Sequence, residues 1–196
     1  MAILTRPAFF VIFTVVVIVA FCSLSTQAGV PHGWFLAGNK PASYDSGIDA
    51  QASYNGHASA YLKSRETHID GFGTLMQSFG ATHYLGKRVR FSAFVRAKDA
   101  QGWAGLWMRI DKETTQLAFD NMENRAIKGT TDWQKYDVVL DVPKDATGIF
   151  FGILLSGTGE VWISNANFEV VQSDVPTSST GVPHVPVEPT NLGFED

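Results

Sequence analysis

From Pro31 to Gln172 short apolar runs alternate with clusters of Gly, Asp, Asn and Thr, and no amphipathic stretch of helical period competes with them. That pattern belongs to many short strands joined by tight turns. In Val89–Ala97 the side chains of Val89, Phe91, Ala93 and Val95 point one way, and those of Arg90, Ser92, Phe94 and Arg96 the other. Lys135–Val142 repeats the arrangement, with Tyr136, Val138, Leu140 and Val142 inside and Lys135, Asp137, Val139 and Asp141 outside, before Pro143 ends the strand. Gly148–Leu155 is apolar on both faces, as a strand covered on each side requires, and Ser156–Gly159 turns the chain into Glu160–Ser164. A last strand is expected at Phe168–Val171. The series predicts an all-β fold of two antiparallel sheets packed face to face, a jelly-roll sandwich.

The 196 residues suit one domain with flanking segments. Arg6 precedes a 14-residue apolar run, Ala8–Phe21, and Thr26 and Ala28 place small side chains three and one positions before a cut after Ala28. The run is shorter than the roughly 20 residues of a spanning helix. Residues 1–28 are therefore expected to be a signal peptide, residues 29–172 the sandwich and residues 173–196 a tail. The mature protein is expected to be secreted or periplasmic, meeting the membrane only if the leader stays uncleaved. The tail carries four prolines among Ser, Thr and Val and reads as an extended linker, a place where a further module or protein can attach. Cys22, the only cysteine, lies in the leader, so the sandwich must be held by packing alone. Of 15 basic residues only Arg6 precedes residue 29, which leaves 14 against 19 acidic ones and a formal charge of −5. An acidic surface without a basic stripe gives no footing for nucleic acid.

Candidate chemistry centres on Trp103–Ile110. As a strand it puts Ala104, Leu106, Met108 and Ile110 on one face, and Trp103, Gly105, Trp107 and Arg109 on the other. Indole faces stack on sugar rings or other planar ligands, and a neighbouring guanidinium offers a fork of donors. The alternative is a face covered by other chain, with both tryptophans as packing. Downstream, Asp120, Asn121, Glu123, Asn124 and Arg125 gather carboxylate, amide and guanidinium groups in a turn-rich stretch, Leu117–Trp133. Of these, Asp120, Asn121, Asn124 and Arg125 join Trp103, Trp107 and Arg109 as candidate ligand-binding residues; the competing reading is a loop whose side chains cap their own backbone.

No nucleophile elbow, phosphate loop or zinc-protease motif is present, and no cofactor is expected. His32, His57, His68, His83 and His184 are scattered without metal-ligand spacing. Asp111, Glu113, Asp120 and Glu123 are the carboxylates from which a glycoside-cleaving pair would have to come. The order of expectation is non-catalytic recognition of a saccharide or other small polar ligand, then a ligand-sensing or protein-interaction domain without sugar specificity, then a glycoside-active enzyme.

Three resemblances accompany these readings. The run Thr131–Val171, with Trp133, Val142-Pro143, the apolar Ile149–Leu155, Gly157–Gly159 and Trp162-Ile163-Ser164-Asn165, is similar to the closing strands of jelly-roll carbohydrate-binding modules of families four and nine and of the wider galactose-binding-like sandwiches. Ser164 and Asn165 stand where those modules carry an Asp pair, so the calcium that the resemblance implies is not expected here. Over most of Gly33–Val171, with GFGTLMQ, GWAGLWMR, FDNM-x-NR, GTTDW and VVLDVP as its motifs, the chain resembles an uncharacterised bacterial domain often attached to, or labelled as, a transcriptional regulator. The terminal NLGFED, Asn191–Asp196, is similar to the opening of another sandwich module of this kind, or to a recurrent tail of the family.

Overall fold

The computed structural model describes residues 29–178; the expected leader and most of the expected tail lie outside them. Nine strands account for the fold of these residues: β1 Phe35–Gly38, β2 Tyr44–Tyr54, β3 His57–Ser64, β4 Phe72–Gly80, β5 Arg88–Lys112, β6 Thr115–Asp120, β7 Ile127–Asp141, β8 Gly148–Ser156 and β9 Glu160–Val171. All pairings are antiparallel, in the order β1-β4-β8-β5-β9-β3-β2, with β6 and β7 also joined to β5. The architecture is the expected jelly-roll sandwich, and β5 is the element that makes two layers of one ladder. Its first half, Arg88–Lys98, pairs with β9 and β7; its second half, Trp103–Asp111, pairs with β8 and, near its end, with β6.

The two apolar segments read separately in the sequence are thus one 25-residue strand. Its inward face changes parity midway. Val89, Phe91, Ala93, Val95 and Ala97 are buried in the first half, and Ala100, Ala104, Leu106, Met108 and Ile110 in the second. Because side chains alternate strictly, one irregular position must absorb the change. The pairing with β7 slips between Ala97 and Ala100, and Asp99 there adopts a left-handed φ of 52°. The bend lets both halves of β5 face a single core, which Leu62, Leu75, Val138, Leu140, Ile153 and Ile163 complete from the neighbouring strands.

Other expectations change in detail. Glu160–Val171 forms one strand instead of two, with Asn165 at a φ of 50° beside a register shift opposite β5. Val139, expected outside, is only 3 % exposed. The start of the tail lies against it: Ser178 Oγ accepts the Val139 N–H at 2.7 Å, and the Ser178 N–H donates to the Val139 carbonyl at 2.9 Å. The Arg88 guanidinium donates to the carbonyls of Ser173 and Val175 at 2.6 Å each, so the segment up to Ser178 is docked on the sandwich. Trp133 packs beside Tyr54, which stacks on Phe94 at 4.0 Å.

At one end, Tyr44 ties three loops together. Burial pushes its phenol pKa up to about 12, and the hydroxyl donates to the carbonyls of Gly157 at 2.8 Å and Gly71 at 3.3 Å. Those loops flank Phe72 and Ser156, which border the site described next.

Candidate functional site

Alternation along the second half of β5 sends Trp103, Gly105, Trp107 and Arg109 to the face away from the core. The strands beside it do the same with Phe72, Thr74 and Met76 on β4, Phe150 and Leu154 on β8, and Phe119 on β6. Together with Phe35, Ala37, Gly38, Gln116, Asn121 and Ser156 these residues line a cavity of about 570 Å³ on the outer face of the sheet. That size lies within the range of small-molecule sites. The second apolar face of Gly148–Leu155, expected to be covered, is in fact the floor of this cavity.

Trp107 is the base of it, 8 % exposed and packed with Met76 and Leu154. Its indole N–H donates to Thr74 Oγ1 at 2.7 Å, and the Thr74 hydroxyl donates in turn to the Ile153 carbonyl at 2.9 Å. The indole is thereby oriented, with its polar atom already engaged. Trp103 is half-buried at the wall. Gly105, between them, has a steric reason to be glycine: a Cβ there would lie 2.9 Å from the Asn121 carbonyl oxygen and 3.0 Å from Met122 Cβ. The missing side chain lets the turn after β6 cross the strand and brings Asn121 to the cavity.

Arg109 stands at the polar end. Its guanidinium lies 4.9 Å from the Phe150 ring centroid, and Nη2 is 2.9 Å from Asp111 Oδ2. Arg109 Nε and Asp111 Oδ1 are both buried without a hydrogen-bond partner among the described residues.

The remaining candidates part company with this group. Asp120, opposite Met108 across the β5–β6 pairing, turns inward and is fully buried. Its Oδ1 accepts the Met122 N–H at 2.8 Å, and Arg125 binds both carboxylate oxygens, at 3.1 and 2.6 Å. Arg125 also donates to Asn124 Oδ1 and the Asp137 carbonyl, both at 3.1 Å. Asp120, Asn124 and Arg125 therefore form a knot that fixes the turn before β7, and none of them lines the cavity. A buried carboxylate requires such a partner. Of the four residues picked from that turn, Asn121 alone reaches the site; its Oδ1 accepts the Glu123 N–H at 3.1 Å, which leaves the amide nitrogen as a donor. The stretch expected to be turn-rich is strand up to Asp120, and the turn proper is short.

Sequence reasoning missed the residues that β1, β4, β6 and β8 contribute. A signal for two of these was present: apolar residues on both faces of β8, and the alternation of Phe72, Thr74 and Met76 within GFGTLMQ. Among the described residues, no Asp, Glu, His or Cys lines the cavity, and the four carboxylates considered for glycoside cleavage lie outside its lining. No group of three or more His, Cys, Asp or Glu among the described residues is placed to hold a metal ion.

No family model matches the chain. It is 46 % identical over 167 residues to a Bacillus subtilis (strain 168) protein named as an uncharacterized HTH-type transcriptional regulator, YbfP. That alignment takes in 84 % of this chain but 57 % of the relative, so the chain spans little more than half of the protein it resembles. Among solved structures, the enzymatically active domain of tailspike protein 4 from bacteriophage CBA120 superposes with a TM-score of 0.56 at 14 % identity, over 76 % of this chain and 21 % of that one. The CBM22-1 xylan-binding domain of Paenibacillus barcinonensis Xyn10C gives 0.51 at 16 % identity over 75 % of this chain and 91 % of its own. A cyclase from Fischerella sp. TAU also gives 0.51 at 16 % identity, over 74 % and 87 %. The xylan-binding neighbour is a module of family 22, where the resemblance in sequence pointed to families four and nine. At such identities these likenesses establish the jelly-roll fold, which in these neighbours accompanies both binding modules and enzymes.

Proposed function

We propose that the sandwich is a non-catalytic recognition module whose outer-face cavity holds a saccharide or another small ring-shaped ligand. The observation that carries this reading is the convergence of Trp103, Trp107, Arg109 and Asn121 with Phe119 and Phe150 around one open cavity of about 570 Å³. Flat aromatic walls with a few convergent donors suit ring stacking. The xylan-binding name of a structural neighbour supports a saccharide as the first class to try. The leader, Met1–Ala28, would carry the module out of the cytoplasm, so the mature protein should begin at Gly29 on N-terminal sequencing, and the tail beyond Ser178 would join it to another module or protein.

Glycan-array binding by the full chain, compared with Trp103→Ala, tests the reading. Loss of about 1 to 3 kcal/mol of binding with little change in melting supports it. An array with no hits overturns the saccharide class.

A second reading has its own observation, the 46 % identity to a protein named as a transcriptional regulator. In that reading the cavity senses a small effector without sugar specificity. A screen of small metabolites that raises the melting temperature of the wild type but not of Trp103→Ala would favour it.

A further inference from the structure

The lining of the cavity is unbalanced in its polar chemistry. Its donors are the Arg109 guanidinium, the amide nitrogens of Asn121 and Gln116 and the Ser156 hydroxyl, and none of its residues is a carboxylate. The Trp107 N–H is spent on Thr74, and one of the two lone pairs of Asn121 Oδ1 on the Glu123 backbone. A ligand studded with hydroxyls needs an acceptor for each O–H that it buries, and only Gln116 and Ser156 offer side-chain oxygens not already engaged by the contacts above. A ligand whose buried polar group is itself an acceptor meets no such deficit.

The charge balance narrows the class further. Arg109 is already paired with Asp111, whose side chain is only 6 % exposed, while that of Arg109 is 40 % exposed. Pair and surroundings are thus neutral as they stand. A ligand carboxylate set against Arg109 would place two anions around one cation beside the rings of Phe150 and Phe119, with part of the charge uncompensated. A neutral carbonyl oxygen accepts from the guanidinium and brings no net charge. Arg109 lines the cavity with its side chain 40 % exposed, so guanidinium donors remain open to a ligand at this end.

We infer that the ligand presents a neutral acyl carbonyl to Arg109 while its ring lies along Trp103, and that among saccharides the class is an N-acylated amino sugar. The amide oxygen accepts from the guanidinium, and the acyl methyl lies on the aromatic surface of Phe150 and Phe119. Asp111 is a positioning residue: it holds the guanidinium and keeps the site neutral, without touching the ligand. This inference rests on the reading of the cavity as a saccharide site.

Calorimetric titration of the full chain with N,N′-diacetylchitobiose, cellobiose and cellobiouronic acid tests it. The acetylated disaccharide should bind at least about tenfold more tightly than cellobiose, because a site built for a hydrogen bond discriminates against the analogue that lacks it. Arg109→Lys keeps the charge opposite Asp111 but loses the planar fork, and should erase that preference, the acetylated sugar falling to within about twofold of cellobiose measured on the same variant. Trp103→Ala should weaken all three sugars. The comparison on the wild-type chain stands even if Arg109→Lys fails to fold. Cellobiose binding as tightly as the acetylated sugar, with Trp103→Ala weakening both, would overturn the carbonyl assignment and leave the saccharide site intact. Preference for cellobiouronic acid would overturn the neutrality argument. Binding of none of the three would overturn the saccharide reading itself, and the acyl assignment with it.

Discussion

Truncating Trp107 to Ala asks whether the cavity floor is structural. A buried tryptophan hides about 150 to 250 Å² of surface, and at about 25 cal/mol per Å² its loss forfeits several kcal/mol. Trp107 is 8 % exposed and packs with Met76 and Leu154, but one side of the cluster opens to the cavity, so water fills the space that truncation leaves. The cost should therefore fall near the lower end of the range for large aromatic truncations, about 3 kcal/mol. Thr74 Oγ1 also loses its donor, yet it becomes accessible to water, which adds no more than about 1 kcal/mol. For a domain of this size the total corresponds to a fall in Tm of about 6 to 15 °C. Leu106→Ala, on the core face, should cost about 2 to 5 kcal/mol. Trp103→Ala, half-buried at the wall, should cost about 1 kcal/mol and act mainly on binding. Urea melts of the three variants decide the matter. A Trp107→Ala protein within about 1 kcal/mol of wild type, alongside a strongly destabilised Leu106→Ala, would refute the placement of Trp107 as a packed and hydrogen-bonded floor.

Three further outcomes are expected. Arg125→Ala should cost about 3 kcal/mol in denaturant melts, because it strands the fully buried Asp120 carboxylate, and a variant that also carries Asp120→Asn should recover part of the loss. Gly105→Ala should push the Asn121–Met122 turn off β5, costing about 1 to 3 kcal/mol of stability and weakening ligand binding through the displaced Asn121, as melts and titrations of one preparation would show. Burial raises the pKa of Asp49, but hydrogen bonds from the Ala52 N–H, the Trp162 indole and the Gln51 N–H, together with Arg96, outweigh it and hold the carboxyl below its ordinary value. Its contribution is then present above the unfolded carboxylate range, about pH 4, and is lost as pH falls through the lower folded value. Asp49→Asn should flatten the acid limb of a plot of melting temperature against pH, while an unchanged limb would show that other carboxylates set it.

The Asp120 turn shows how a dense group of polar residues can mislead. Carboxylate, amide and guanidinium within six positions are the inventory of a ligand site, and equally that of a turn that satisfies itself. The Asp120 contact to the Met122 N–H spans two residues, and the Arg125 contact five. Local geometry claims these groups before any ligand does.

Alternation in this sequence was sufficient to determine the sandwich, the inward faces of Val89–Ala97 and Trp103–Ile110, and the shared outward face of Trp103, Trp107 and Arg109, because side-chain direction along a strand is a local property of period two. What only the tertiary structure decided is long-range. The bend at Asp99 joins two segments into one strand, and the pairings of β4 and β8 carry Phe72, Met76 and Leu154 to the same cavity from chain positions far from Trp107. Whether an outward apolar face is covered or left as a cavity depends on what else packs there, and no local pattern encodes that. The inward turn of Asp120 likewise follows from its place opposite Met108, a register set by cross-strand hydrogen bonds and invisible along the chain.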